Sequence, residues 1–162
     1  LSISFSPCFT LSFNTETALY GAGPFGTFTK HQSHKGRPIL LIGGGVGITP
    51  IRALLEELPT DRDISLIYRT SNEEGLIFLE EITELAKQKR VRLHVLPGSR
   101  RLYPLDSAHL LQLVPNVREC EIYICGPTTL TEVIRESARE LGMPKARVHS
   151  EIFEYHTVME GE

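Results

Sequence analysis

Pro38-Ile39-Leu40-Leu41-Ile42-Gly43-Gly44-Gly45-Val46-Gly47-Ile48-Thr49-Pro50 is the stretch that decides the fold. An unbroken apolar run, without the polar alternation of a half-exposed strand, suits a strand buried on both faces. Four glycines in five positions then make a turn, and Thr49-Pro50 supplies a hydroxyl N-cap with proline at the first helical position. Buried strand, glycine turn and helix together open an α/β unit built on a parallel sheet.

The same alternation continues outward. Strands are expected at Pro38 to Gly43, Ile64 to Arg69, Val91 to Leu96, Glu121 to Cys125 and Arg147 to Ile152, each short and bounded by Gly, Pro or charged residues. Helices fit between them. The first runs to about Leu58, where Pro59 stops it. Ser71 and Glu74 have capping-box spacing ahead of a face made by Phe78, Ile82, Leu85 and Ala86, ending near Lys89. Asp106 caps a short helix through Leu113. Thr129 and Glu132 form a second capping box, before a stripe of Leu130, Val133, Ile134, Ala138 and Leu141 closed by Gly142 and Pro144. The expected fold is α/β, a doubly wound five-stranded parallel sheet over residues 37–155. Residues 1–36, with Phe5, Phe9 and Phe13 among Ser and Thr, read as the remnant or edge of an antiparallel domain, and residues 156–162 as a C-terminal tail.

Composition bounds the rest. A chain of 162 residues, 41% hydrophobic and 23% charged, is globular and holds one domain, or one domain and a fragment of another. Seventeen Lys and Arg against 20 Asp and Glu give a net charge of -3, which leaves no basic field for nucleic acid or an anionic membrane. Cys8, Cys120 and Cys125 form no CxxC pair, so no metal site is expected and the chain reads as reduced and cytoplasmic. Four glycines, two prolines and Arg52 disqualify Pro38 to Leu55 as a membrane helix. The N-terminus has neither Met nor a basic segment, so it is not a signal peptide, and a truncated chain is expected.

Gly43 to Pro50 lies where backbone N–H groups can cradle a phosphate, although it is neither GxGxxG nor a loop ending in GK[ST]. The alternative is a ligand-free tight turn. In a dinucleotide fold an acid would end the second strand to hold the ribose; here Tyr68-Arg69-Thr70-Ser71 puts a cation there. Gly98-Ser99-Arg100-Arg101 adds donors after the third strand, which favours a 2'-phosphate and NADP over NAD, unless these arginines are solvated loop cations. Cys125-Gly126-Pro127 ends the fourth strand at the edge where open α/β folds bind ligands, and the thiol has no base at local spacing. On the fifth strand Glu151 and Phe153 share a face, a carboxylate beside an aromatic plane. His31 and His34 read as solvent-exposed linker residues, and His94, His109 and His156 have no partner that the sequence names.

The order GPFGTF, LIGGGVGITPIRALLEE, LIYRTSNEEGLIFLEEI, IYICGPTTL and HSEIFEY resembles the nucleotide-binding half of the ferredoxin-NADP reductase superfamily, and is especially similar to bacterial ferric-reductase-like oxidoreductases and the dehydrogenase region of NADPH oxidases. The resemblance covers roughly residues 21–155. It implies a hydride passing from nicotinamide to FAD and electrons passing on to haem, ferric iron or an iron-sulfur partner. It also implies roles for residues. Gly44, Gly45, Gly47, Thr49 and Pro50 would seat the pyrophosphate and nicotinamide side of NADPH, with Arg69, Ser99 and Arg100 around the adenosine phosphate. Cys125, Gly126 and Pro127 would support the nicotinamide, Glu151 would lie near the hydride-transfer site and Phe153 near the flavin.

Members of this superfamily carry an upstream FAD-binding β-barrel with an Arg-x-Tyr-Ser/Thr motif. That motif is absent here, and Gly23-Pro24-Phe25-Gly26 resembles the end of such a barrel. An FAD-binding domain missing or truncated in this chain is therefore expected, with any membrane link only indirect, through an upstream haem domain at the cytoplasmic face. The rival reading is a truncated, catalytically silent module that binds nucleotide or docks to another subunit. A flavodoxin-like signalling domain would want clustered acids at its strand ends, and the glycine loop argues against it.

Overall fold

The computed structural model describes residues 36–152 of the chain. Strands β1 (Ile39–Gly44), β2 (Ile64–Thr70), β3 (Arg92–Pro97), β4 (Glu121–Gly126) and β5 (Val148–Ile152) form one sheet in the order β3-β2-β1-β4-β5, every neighbouring pair parallel. This is the expected doubly wound α/β sheet, with each strand within a residue or so of its expected bounds. β1 is central and all six of its residues are buried, as its continuous apolar sequence requires.

Helices α1 (Ile48–Glu57), α2 (Leu79–Lys89), α3 (Ser107–Leu113) and α4 (Thr128–Glu140) cover both faces. On one face Leu40, Ile42, Ile67, Leu96, Ile122 and Ile124 pack on Leu110 of α3 and on Ile134 and Ala138 of α4. On the other, Ile39, Leu41, Leu66, Tyr68, Tyr123 and Cys125 pack on Ile51 and Leu55 of α1 and Ile82 of α2. Strand alternation thus feeds two cores from one sheet, each fully buried large side chain contributing about 1.5 to 3 kcal/mol.

Helix ends are where local motifs misled. α1 begins at Ile48, out of a 3-10 turn at Gly45–Gly47, so Thr49 is not its N-cap but a residue of its first turn, and Pro50 sits there too, where the N–H it lacks would have no intrahelical acceptor. The Ser71–Glu74 capping box does not form. Asn72 instead accepts from the Gly75 N–H at 2.9 Å, and the buried Tyr68 hydroxyl donates to the Ile77 carbonyl at 2.7 Å, which holds this connection in a turn and delays α2 to Leu79. Thr129 does not cap α4 either, since the helix starts at Thr128 after Pro127 with no side-chain cap. Asp106 does cap α3, accepting from the His109 N–H at 2.8 Å. α1 ends as expected, with Leu58 extended ahead of Pro59.

The expectations for residues 1–35, for Phe153 and for the tail at 156–162, and with them Cys8, His31, His34 and His156, lie outside the described residues. No helix among the described residues is long and apolar enough to cross a membrane, and among them no group of three or more His, Cys, Asp and Glu is placed to hold a metal ion.

Candidate functional site

Because all strands are parallel, their carboxyl ends lie on one edge, and the order reverses between β1 and β4. Ligands of open α/β sheets bind in the crevice outside such a reversal. Here it is bounded by the turn after β1 and by Cys125-Gly126-Pro127 after β4, with Gly43 paired to Cys125 in register.

The two segments touch backbone to backbone. A Cβ at Gly47 would fall inside contact of the Cys125 carbonyl oxygen, 2.5 Å from its carbonyl carbon and 2.8 Å from the Gly126 nitrogen. A Cβ at Gly126 would lie 3.2 Å from the Gly44 Cα, and one at Gly44 would lie 3.1 Å from the Pro127 ring. Gly44, Gly47 and Gly126 therefore serve this close approach. Gly45 differs: its φ of +56° favours glycine, and an added Cβ would meet nothing within 4 Å, so it faces open space.

Two helix starts lie at this edge, and neither has a side-chain cap, although the Ile48 N–H at the start of α1 donates to the Gly45 and Val46 carbonyls of the preceding turn. α1 begins after Gly47 and α4 after Pro127, both without a side-chain cap and without an acid in the first turn. By contrast α2 has Glu80 and Glu81 in its first turn and α3 has the Asp106 cap. Uncapped N–H groups and the positive ends of two helix dipoles make the crevice attractive to an anion. Thr49, in the first turn of α1, has a buried hydroxyl oxygen without a hydrogen-bond partner. An orphaned buried hydroxyl costs about 1 to 3 kcal/mol, and a bound polar group would remove that cost.

Arg69, the penultimate residue of β2, lies opposite Gly44 in register, one strand spacing from the glycine turn. Its Nη1 donates to the carbonyls of Thr70 and Gly98, tying the end of β2 to the loop that follows β3. Burial first, and then the charge of Arg100, lower its pKa from the usual arginine value. Ser99 and Arg100 are exposed on that loop, and among the described residues neither Arg69 nor Arg100 is paired with a carboxylate. The cluster is two neighbouring cations at one edge of the sheet.

The Cys125 side chain is fully buried in the α1-side core, so this residue brings its backbone, not its thiol, to the crevice. Glu151 pairs in register with Cys125 on β5, which puts its backbone at the same edge. Two features escaped the sequence. His149 Nε2 lies 2.6 Å from Glu121 Oε1 while its ring stacks on Tyr123, a pair invisible because it crosses from β5 to β4. His109 accepts from the Leu105 N–H through Nδ1 at 3.1 Å; a histidine three residues after an Asp N-cap, where a capping box would place Glu or Gln, was the available signal.

A family model described as "Oxidoreductase NAD-binding domain" matches residues 41–136. Over 134 residues the chain is 34% identical to the ferredoxin reductase component of a 3-ketosteroid-9-alpha-monooxygenase from Rhodococcus rhodochrous, covering 80% of this chain and 37% of that protein. It is 31% identical to a flavohemoprotein of a Burkholderia species, covering 80% of this chain and 35% of the relative. The chain thus spans about a third of the length of these curated relatives. Among solved structures, the flavohem-like FAD/NAD binding domain of a nitric oxide dioxygenase from Vibrio cholerae superposes with a TM-score of 0.63 at 26% identity, over 74% of this chain and 52% of that one. A ferredoxin-NADP+ reductase from Plasmodium falciparum superposes with a TM-score of 0.58 at 23% identity, over 76% of this chain and 55% of that one, a likeness of fold. These matches do not single out ferric reductases.

Proposed function

We propose, from the premise that this chain belongs to the oxidoreductase NAD-binding domain family within the ferredoxin-NADP reductase superfamily, that it is the pyridine-nucleotide module of a flavin-dependent NAD(P)H oxidoreductase. One observation carries the reading. At the sheet's reversal point two helix starts without side-chain caps, an open glycine at φ +56° and, in the first turn of α1, the orphaned Thr49 hydroxyl lie at one edge, a donor set suited to a pyrophosphate.

The residues fit NADPH. Gly45 leaves space for close approach, Thr49 offers a hydroxyl lacking a partner, and Gly44, Gly47, Gly126 and Pro127 hold the two loops together, with Pro50 in the first turn of α1 beside them. Arg69, Ser99 and Arg100 would face a 2'-phosphate, which favours NADP over NAD. Cys125 would support the nicotinamide through its backbone, and Glu151 and Phe153 would line the side on which the flavin stands. When bound, NADPH supplies a hydride to FAD, whose electrons pass on to a haem, ferric-iron or iron-sulfur acceptor. The chain's own contribution is alignment, and positioning of reactants is worth up to about 7 to 11 kcal/mol of a barrier. An FAD-binding domain, an acceptor protein and a cytoplasmic setting, with membrane contact only through another domain, complete the proposal.

The test is NADPH-driven reduction of ferricyanide by the chain fused to the FAD-loaded flavin domain of a flavohemoprotein relative, compared with that flavin domain alone. The expected result is reduction that requires the fused chain and is faster with NADPH than with NADH. A folded fusion that holds FAD and binds NADP+ yet reduces no faster than the flavin domain alone contradicts the oxidoreductase reading and leaves a silent binding module.

A further inference from the structure

The loop that carries Ser99 and Arg100, residues 98–106, is held at its far end by a strained residue. Leu105 is 1% exposed and has φ +49°, a left-handed conformation that a branched side chain rarely adopts. Such a residue persists only where its surroundings over-determine it. Both of its backbone groups are held: the N–H donates to His109 Nδ1 at 3.1 Å, and the carbonyl accepts from the Ser137 hydroxyl of α4 at 2.9 Å. The His109 ring also stacks on Tyr103, centroids 6.4 Å apart and planes at 15°. Tyr103 in turn lies against the start of the loop, where a Cβ on Gly98 would come within 3.0 Å of its ring. One imidazole therefore touches the end of the loop directly and its beginning through Tyr103.

We propose that His109 is a positioning residue for nucleotide binding: its Nδ1 lone pair fixes Leu105 and so sets the loop in the shape that presents Ser99 and Arg100, and protonation of the ring releases the loop and selectively weakens binding of a 2'-phosphorylated nucleotide. The chemistry is simple. An imidazolium carries N–H on both nitrogens, so Nδ1 becomes a donor facing the Leu105 donor, and the bond is lost.

Several groups face the ring. Asp106, at the start of its own helix, accepts from the His109 backbone N–H. Tyr103 stacks on it from the loop, and Ser137 of α4 meets the same Leu105. From β3, His94 senses its charge, and burial, then Arg92, then His109 hold the His94 imidazole below the usual histidine range, so His94 resists charging. Arg92 is itself paired with Asp63 at 2.6 Å.

This inference rests on the reading that Ser99 and Arg100 meet the 2'-phosphate, and the experiment separates the two. NADP+ and NAD+ are titrated calorimetrically into the full chain, His109→Phe and His109→Asn, from about pH 8 to about pH 5, where imidazoles ordinarily change charge. Exchange of the Leu105 amide, corrected for intrinsic rate, is followed on the same samples. His109→Phe keeps the ring stack and removes the acceptor; His109→Asn places an oxygen acceptor there that does not titrate. The phosphate's own second proton weakens NADP+ binding in this range for every variant, so the readout is the difference between proteins.

His109→Phe is expected to bind NADP+ about tenfold more weakly at pH 8 with NAD+ unchanged, and to exchange the Leu105 amide quickly. His109→Asn should match wild type at pH 8 and lose less NADP+ affinity than wild type as pH falls. A slow Leu105 amide in His109→Phe, or identical pH profiles for wild type and His109→Asn, overturns the role of His109. A fast amide with unchanged preference for NADP+ overturns the coupling to the phosphate, and an Arg100→Ala chain that still discriminates NADP+ from NAD+ as wild type does then places the fault in the 2'-phosphate reading.

Discussion

Replacing Gly47 with alanine separates packing from ligand contact within the glycine turn. The added methyl would overlap the Cys125 carbonyl and stand 2.8 Å from the Gly126 nitrogen, and all of these are backbone atoms that no rotamer change can move aside. Relief requires the turn and the end of β4 to part by several tenths of an ångström or more, across strands hydrogen-bonded in register from Ile39–Glu121 to Gly43–Cys125. Overpacking of this kind costs about 1 to 3 kcal/mol, and the rigidity of the obstacle puts Gly47→Ala near the upper figure. For a chain of this size about 3 kcal/mol lowers Tm by roughly 6 to 12 °C.

Gly45→Ala is the matched control. Its methyl enters open space, so only the φ of +56° opposes it, at about 1 to 2 kcal/mol, and Tm should fall by roughly 2 to 8 °C. Thermal unfolding followed by circular dichroism, with and without NADP+, reads both. Nucleotide should raise the Tm of wild type, and do so less for Gly47→Ala because the crevice itself is spread. If Gly47→Ala melts within a degree of wild type with full stabilisation by nucleotide, the loops do not approach as described and the crevice argument fails. Gly47→Glu should lose binding through the same spreading, before the carboxylate meets any phosphate.

Three more expectations can be checked with purified chains. Thr49→Val removes an orphaned buried hydroxyl, so it should raise the Tm of the ligand-free protein while weakening NADP+ binding; a lower Tm would mean that the hydroxyl has a partner within the fold. Arg100→Ala, exposed and clear of the backbone bonds made by Arg69, should cost about tenfold in NADP+ affinity and leave NAD+ nearly unchanged in calorimetry, and equal losses for both would move the 2'-phosphate elsewhere. Burial pushes the Cys120 thiol from 9.0 up to about 12 and the Tyr68 phenol from 10.0 up to about 12, so the folded state keeps protons that the unfolded state releases. Stability should therefore be full below about pH 9 and fall as pH rises towards 12, which a Tm series at increasing pH tests; a flat series would show these groups exposed.

The sheet was legible because its signals are local and redundant. β1 has no polar residue in its buried run, each later strand is bracketed by turn residues, and helical stripes such as Val133, Ile134 and Ala138 repeat at one period. Helix starts were less legible, because contacts remote in sequence decide them. The Tyr68 hydroxyl holds the Ile77 carbonyl and postpones α2, and Gly47 must reach the Cys125 carbonyl, which draws the start of α1 ahead of Thr49. The site shows the same split. Glycine turn, terminal arginine and the Cys-Gly-Pro segment could be placed at one edge from strand order alone. That Gly44 and Gly47 serve packing while Gly45 faces space, that the Cys125 thiol is buried, and that Ser137 reaches Leu105 across 32 residues needed coordinates.

Pyridine-nucleotide binding at the sheet edge formed by the β1 turn and Cys125-Gly126-Pro127, with preference for the 2'-phosphate, is the proposal on which the rest depends. Calorimetric titration of the purified 162-residue chain with NADP+ and with NAD+ tests it most directly. Saturable binding of both is expected, with NADP+ the tighter and the difference lost in Arg100→Ala. A folded chain that gives no binding heat with either nucleotide contradicts it.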